Sequence, residues 1–138
     1  PSPVRERHPL VLAGGPGWNS DDLHSFLRGE GRHRNVRWLG YVGDGQFPAL
    51  YSAARALVFP TLYEGFGMPA VEIMACGGAV LASTAGAVAE VAGRKAHLTD
   101  PRDEAGWRDA MLRACTDVEW VASLREGAAE HAAAYTWD

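Results

Sequence analysis

Short apolar runs alternate with amphipathic stretches along almost the whole chain. Mainly apolar runs of three or four residues predict buried strands at positions 10–13, 36–39, 56–59, 79–82 and 96–98. Between and after these runs, apolar residues recur at helical spacing, which predicts helices at 20–29, 47–54, 70–76, 88–91, 103–115 and 119–135. Strands that alternate with helices indicate an α/β fold, namely a Rossmann-like parallel sheet with helices on both faces.

Length and composition narrow the class of protein. The 138 residues fit a single domain over 1–138. An apolar fraction of 47%, a charged fraction of 22% and a net charge of −4 are ordinary for a globular protein and argue against nucleic acid as a partner. No apolar run approaches the roughly 20 residues of a transmembrane helix. Cys76 and Cys115 are most simply free thiols, so we expect a cytoplasmic protein. The histidines lack metal-ligand spacing, so we expect no metal.

The segment from Glu64 to Glu72 carries the clearest chemical signal. It reads EGFGMPAVE and follows the predicted strand at 56–59, so it predicts a strand, a glycine-rich turn and a helix. Backbone N–H groups at the start of a helix bind phosphate oxygens, and carboxylates accept hydrogen bonds from sugar or ribose hydroxyls. A structural interpretation also exists, because Pro69 and Glu72 both suit a first helical turn. The glycines on either side of Phe66 favour a ligand site, since no chain reversal obviously requires both.

These residues resemble the retaining GT-B glycosyltransferases of glycosyltransferase family 4, whose hallmark is E-G-F-G-x-P-x-x-E. The flanking segments resemble the family as well: 35–42 (NVRWLGYV), 50–54 (LYSAA), 58–61 (VFPT) and the closing 135–138 (YTWD). The likeness extends over nearly the whole chain. It implies the nucleotide-sugar-binding, C-terminal domain of a hexosyl-type glycosyltransferase.

The resemblance also implies a role for each residue of the site. Glu64 would face the transferred sugar near the reacting carbon, and Glu72 would bind the ribose hydroxyls. Val42 would contact the nucleobase through its backbone. Backbone groups of the turn would bind sugar hydroxyls and diphosphate: Gly65, Phe66, Gly67 and Met68. The donor would be a nucleotide sugar, the anomeric configuration would be kept, and neither a cofactor nor a metal would be required.

The resemblance covers only part of a complete enzyme of this family. Such enzymes have two Rossmann-like domains, and this chain matches the second without its first strand and helix, which carry an Arg and a Lys that clamp the diphosphate. We therefore expect a partial domain that is inactive alone and lacks an N-terminal acceptor domain, whether on the same polypeptide or on a companion chain. Unpaired sheet edges predict either reordering of the sheet or a homo-oligomer.

Two alternatives remain open from the sequence. The chain could be a non-catalytic Rossmann-like subunit that associates with a separate acceptor-domain chain. A different nucleotide-binding enzyme, such as a dehydrogenase, is disfavoured because the turn at Gly14 to Gly17 lacks the third glycine of the dinucleotide fingerprint. The sequence does not specify the sugar, the base or the acceptor.

Overall fold

The computed structural model describes residues 3–17 and 20–135. The chain divides into two compact units, unit 1 over Pro1–Phe47 and unit 2 over Pro48–Asp138. The elements of unit 1 are α1 (Pro3–Arg7), β1 (Leu10–Ala13), α2 (Asp21–Arg28), α3 (Glu30–His33), β2 (Val36–Gly40) and a 3-10 helix (Asp44–Gln46). The two strands pair in parallel, as expected for apolar runs that are joined by a helical crossover.

Unit 2 contains a three-stranded parallel sheet. Helix α4 (Phe47–Ala53) begins at the last residue of unit 1. The elements that follow are β3 (Leu57–Phe59), α5 (Met68–Ala75), β4 (Val80–Ser83), α6 (Val88–Ala92), a 3-10 helix (Gly93–Lys95), β5 (Ala96–Thr99), α7 (Glu104–Thr116), α8 (Val118–Arg125) and α9 (Ala128–Ala132). The strand order is β3-β4-β5, and both pairings are parallel.

Strand β4 forms the centre of unit 2, and all four of its residues are buried. Leu81 belongs to a buried cluster with Trp107 of α7 and Val121 of α8. Because side chains alternate across a strand, Val80 and Ala82 point to the opposite face, and α5 and α6 contact β4 as well. Helices therefore cover both faces of this sheet. The loops after β3 and β4 leave its carboxyl edge, where ligands bind in parallel α/β sheets.

The α/β class with parallel strands and covering helices is confirmed, and each predicted strand agrees with an observed one to within about one residue. The predicted burial is wrong for β1 and β2, whose residues are mainly exposed, because no described helix covers most of their side chains. The described strands form two parallel sheets, where the sequence predicted one sheet that lacks the first strand of the family's domain. The short helices α1 and α3 were not predicted. A single helix over 119–135 was wrong, because Gly127 has φ +69° between α8 and α9, and a Cβ there would lie 2.9 Å from Lys95 Nζ.

The described residues lack two features that the sequence does not predict either, a membrane-spanning helix and a metal-binding cluster. Within 3–17 and 20–135, the structure has no helix that is both long enough and apolar enough to cross a membrane. Over the same residues, no group of three or more His, Cys, Asp or Glu side chains is arranged to hold a metal ion. The absence of a metal from the reaction remains a prediction.

Candidate functional site

The turn between β3 and α5 ends in a left-handed glycine. Gly67 has φ +95° and precedes Met68, the first residue of α5, so that Pro69 occupies the second helical position. The carbonyl oxygen of Gly67 accepts a hydrogen bond from the Ala70 N–H at 2.9 Å. Helix α5 therefore begins two residues earlier than the predicted helix at 70–76. Its N-terminal end follows directly on the glycine-rich turn, as an anion site at this position requires.

The side chain of Glu64 turns back onto this loop. Its Oε1 accepts hydrogen bonds from the N–H groups of Gly65 at 3.1 Å and Phe66 at 3.4 Å. These are two of the backbone donors that the sequence assigned to sugar hydroxyls and diphosphate. The carboxylate of Glu64 itself therefore bonds these two donors, and their contact with a ligand stays a prediction.

The loop between β4 and α6 supports the backbone of Glu64. Ala87 donates its N–H to the Glu64 carbonyl oxygen at 3.1 Å. The neighbouring Gly86 has φ +66°, and a Cβ at this position would lie 2.7 Å from the same oxygen and 2.9 Å from the Glu64 nitrogen. Gly86 is thus required both by its conformation and by close approach. Two consecutive strand-to-helix loops together fix the position of Glu64.

The two glycines of the EGFG segment differ in whether the fold requires a glycine at that position. Gly67 combines a positive φ with close packing, since a Cβ there would lie 3.1 Å from Val88 Cγ2. Gly65 has neither constraint: its φ is outside the left-handed region, and a Cβ would meet no atom within 4 Å. The sequence-based view that chain geometry does not require both glycines agrees with these contacts, since only Gly67 is constrained. No contact or backbone conformation of the described residues requires a glycine at position 65. The space beside its α-carbon is open.

Glu72 lies on α5, one turn beyond its start, and is exposed. Its Oε2 accepts a hydrogen bond from the hydroxyl of Tyr51 at 2.9 Å. Tyr51 belongs to α4 and is only 8% exposed. Burial, and then the hydrogen bond to Glu72, raise the pKa of Tyr51 above its usual range, so the phenol remains a donor. The two glutamates of the motif thus have separate supports within unit 2.

Phe66 contacts the C-terminal helical region. Its ring meets that of Tyr135 edge to face, with centroids 5.9 Å apart, and Tyr135 in turn packs against His131 of α9. The His131 Nε2 atom lies 2.7 Å from the Val91 carbonyl oxygen, within hydrogen-bond distance. The middle of the turn is therefore packed against a segment that lies far along the chain. Positions 136–138 of the closing YTWD sequence lie outside the described residues.

The remaining predicted site residue, Val42, lies in unit 1. It is buried and follows β2, before the 3-10 helix Asp44–Gln46. Its contact with a nucleobase stays a prediction. Cavities of about 400 Å³ and 220 Å³ also lie in unit 1, the smaller lined partly by Gly14, Gly15 and Gly17. Neither is lined by a residue of the turn, so the candidate site is assigned from the loop geometry of unit 2.

The sequence did not identify Tyr51 or Gly86 as site residues. Tyr51 was visible as one member of an apolar helical pattern and of the family-like segment 50–54, and Gly86 as part of a small-residue stretch. Each contacts a motif glutamate about twenty positions away along the chain, and no local sequence pattern indicates such a contact. A glycine two residues before a predicted helix was the one available signal for Gly86.

Residues 2–117 match the family model described as "Glycosyl transferases group 1". O-antigen chain mannosyltransferase B of Escherichia coli is 36% identical over 138 residues, which is all of this chain and 36% of that protein. D-inositol 3-phosphate glycosyltransferase of Salinispora arenicola is 31% identical over 148 residues, covering 98% of this chain and 33% of that protein. The chain thus spans about a third of the length of these curated relatives.

Solved GT-B glycosyltransferase structures have the same fold. Anabaena HepE in complex with UDP-glucose matches with a TM-score of 0.78 and 25% identity over 91% of this chain and 36% of that chain. The C-terminal domain of the group 1 glycosyl transferase LpcC from Francisella tularensis matches with a TM-score of 0.74 over 94% of this chain and 88% of that chain. At 16% identity, the second match shows the fold alone.

Proposed function

Because this chain belongs to the group 1 family of glycosyl transferases, we propose that it is the donor-binding part of an enzyme that moves a hexose from a nucleotide sugar to an acceptor. We further propose that the anomeric configuration is retained. Since the chain spans 36% of the length of the E. coli relative, transfer by the whole protein belongs to the proposal, with the acceptor bound by a further domain.

One observation carries this proposal. The N-terminal end of α5 lies between two carboxylates, with Glu64 before the turn and Glu72 in the helix. The turn presents backbone N–H groups, and Gly65 leaves open space where a side chain would otherwise stand. Hydrogen-bond donors for a diphosphate beside acceptors for hydroxyls are the groups that a nucleotide sugar requires.

The same arrangement suits the chemistry of transfer. When the bond from the anomeric carbon to the diphosphate breaks, positive charge develops on the sugar and negative charge on the leaving diphosphate. We assign Glu64 to the side of the sugar, where a carboxylate stabilises positive charge. The N–H groups of the turn and the start of α5 stabilise the diphosphate, so that no metal is required. Glu72 accepts hydrogen bonds from the ribose hydroxyls.

Two relatives guide the choice of donors to test. The E. coli relative is named a mannosyltransferase, and HepE was solved with UDP-glucose. Calorimetric titration of the 138-residue chain with UDP, UDP-glucose, GDP and GDP-mannose tests for a donor site. We expect binding by one nucleotide series and little transfer by this chain alone. Absence of heat with every ligand, in a sample shown to be folded, would reject the donor-site proposal.

Two variants test the residue assignments. Glu72→Ala is expected to weaken nucleoside diphosphate binding at least about tenfold, because a hydrogen bond to a charged group contributes roughly 1.5–3 kcal/mol. Gly65→Ala is expected to weaken binding without changing stability, because its methyl group meets no protein atom within 4 Å but would enter the ligand space. Gly45→Ala is the control, since a Cβ there also meets nothing within 4 Å.

A further inference from the structure

We infer that Tyr51 is a positioning residue, which holds the carboxylate of Glu72 in the orientation that binds ribose hydroxyls. This inference rests on the proposed donor site. Its geometric basis is the 2.9 Å hydrogen bond from the Tyr51 hydroxyl to Glu72 Oε2. The two residues lie on different helices, α4 and α5, and both belong to unit 2.

The two partners differ in their freedom of movement. Glu72 is exposed and has a flexible side chain, which alone would sample several rotamers. Tyr51 is 8% exposed, so its ring is fixed by packing. A hydrogen bond from a fixed donor selects one orientation of the flexible carboxylate before any ligand arrives. Such preorganisation lowers the entropy lost on binding.

The hydrogen bond leaves the carboxylate able to bind a ligand. A carboxylate has two oxygens with about four acceptor positions, and the Tyr51 hydroxyl uses one position on Oε2. The remaining positions suffice for the two vicinal hydroxyls of a ribose. Because burial and this hydrogen bond raise the pKa of Tyr51, the donor persists at any pH at which the nucleotide would bind.

A purely structural interpretation makes a different prediction. If the hydrogen bond only joined α4 to α5, its loss would weaken every nucleotide by a similar factor, through stability or loop position. If Tyr51 orients a ribose-binding carboxylate, its loss matters only for ligands that carry ribose hydroxyls and only while Glu72 is present. Nucleotides with and without these hydroxyls therefore distinguish the two roles.

The experiment is a calorimetric cycle on the 138-residue chain with the wild type, Tyr51→Phe, Glu72→Ala and the double variant. The ligands are the nucleoside diphosphate that binds the wild type and its 2′,3′-dideoxy analogue. We expect Tyr51→Phe to weaken the ribonucleotide about three- to tenfold and to leave the dideoxy analogue unchanged. In the Glu72→Ala background, Tyr51→Phe should have no further effect. Tyr41→Phe, which removes an exposed phenol hydroxyl, is the matched control.

The outcomes separate this inference from the proposed function. A wild type that binds the ribonucleotide and a Tyr51→Phe variant of equal affinity would overturn the inference alone, as would an equal loss with the dideoxy analogue. A wild type that binds neither ligand would overturn both. Should Tyr51→Phe not fold, the ¹³Cζ resonance of Tyr51 in the labelled wild type decides. A shift with the ribonucleotide but not with the dideoxy analogue supports the inference, and no shift overturns it.

Discussion

The α-carbon of Gly86 lies against the backbone of Glu64, twenty-two residues earlier in the chain. A methyl group at Gly86 would stand 2.7 Å from the Glu64 carbonyl oxygen, and the next residue, Ala87, donates its N–H to that oxygen. The proposed sugar-facing residue is therefore held by the loop of the neighbouring strand. Its position depends on a part of the sequence outside the EGFG segment.

Gly86→Ala is expected to destabilise the fold. The substitution combines a positive φ with overlap on backbone atoms that have no room to move, so we expect a loss of roughly 2 kcal/mol or more in the free energy of unfolding. Urea unfolding measures this loss. Gly65→Ala, in the adjacent loop, is the matched control and should unfold as the wild type does. Equal stability of the two variants would show that the contact between Gly86 and Glu64 does not constrain the fold.

Glu64→Gln is expected to strengthen binding of a nucleoside diphosphate that carries no sugar. The carboxylate of Glu64 accepts from the N–H groups of Gly65 and Phe66, so it would compete with a diphosphate for these donors and would repel it. Removing about 1 kcal/mol of competition raises the affinity for the nucleoside diphosphate about fivefold. Calorimetry at low salt measures the change, and Glu130→Gln controls for the lost charge. Weaker binding by Glu64→Gln would show that these N–H groups do not meet the diphosphate.

Because of Tyr51, we expect the free energy of unfolding to depend on pH in the alkaline range. Burial and the hydrogen bond to Glu72 raise the pKa of Tyr51 in the folded state. A pKa that is raised in the folded state contributes stability that is fully present below the pKa of the unfolded state, about 10. This stability is lost as pH rises through the pKa of the folded state. We expect the free energy of unfolding to fall above about pH 10, and less steeply in Tyr51→Phe. Tyr63→Phe, at a position that is 84% exposed, should keep the wild-type slope.

Because of Asp117, we expect the free energy of unfolding to depend on pH in the acid range as well. Its side chain caps α8 by accepting from the Trp120 N–H at 2.9 Å, and it also accepts from Arg113 Nε at 3.1 Å. The backbone hydrogen bond from Trp120, and then Arg113, lower the pKa of Asp117. A pKa that is lowered in the folded state contributes stability that is present above the pKa of the unfolded state, about 3.9. This stability disappears as pH falls through the pKa of the folded state.

The measurement is urea unfolding between about pH 2 and 6. Asp117→Asn keeps an N-cap but removes the carboxylate, so the variant should lose less stability than the wild type on acidification. Asp109→Asn, an exposed carboxylate on α7, is the control and should follow the wild-type curve. Parallel curves for the wild type and Asp117→Asn would exclude Asp117 as a source of acid sensitivity.

The strands could be predicted because each is a short apolar run between glycines, prolines or polar residues, although only β4 is buried along its whole length. The site could be located because its strand, turn and helix are consecutive in sequence. Contacts across the fold could not be predicted. Tyr51 reaches Glu72 across twenty-one residues, and Gly86 meets the backbone of Glu64 across twenty-two. Local propensity carries no information about such contacts.

The loop that leads into Glu64 keeps its backbone and its side chains under different constraints. The Thr61 hydroxyl donates to the Tyr63 carbonyl oxygen at 2.7 Å, while the side chains of Leu62 and Tyr63 are 66% and 84% exposed. Exposed substitutions typically change stability by less than about 0.5 kcal/mol. Sequence variation at 62 and 63 can therefore accumulate next to the proposed sugar-facing carboxylate without unfolding the chain. A lineage, or a randomised library, could use these two positions to explore new substrate preferences on an unchanged scaffold.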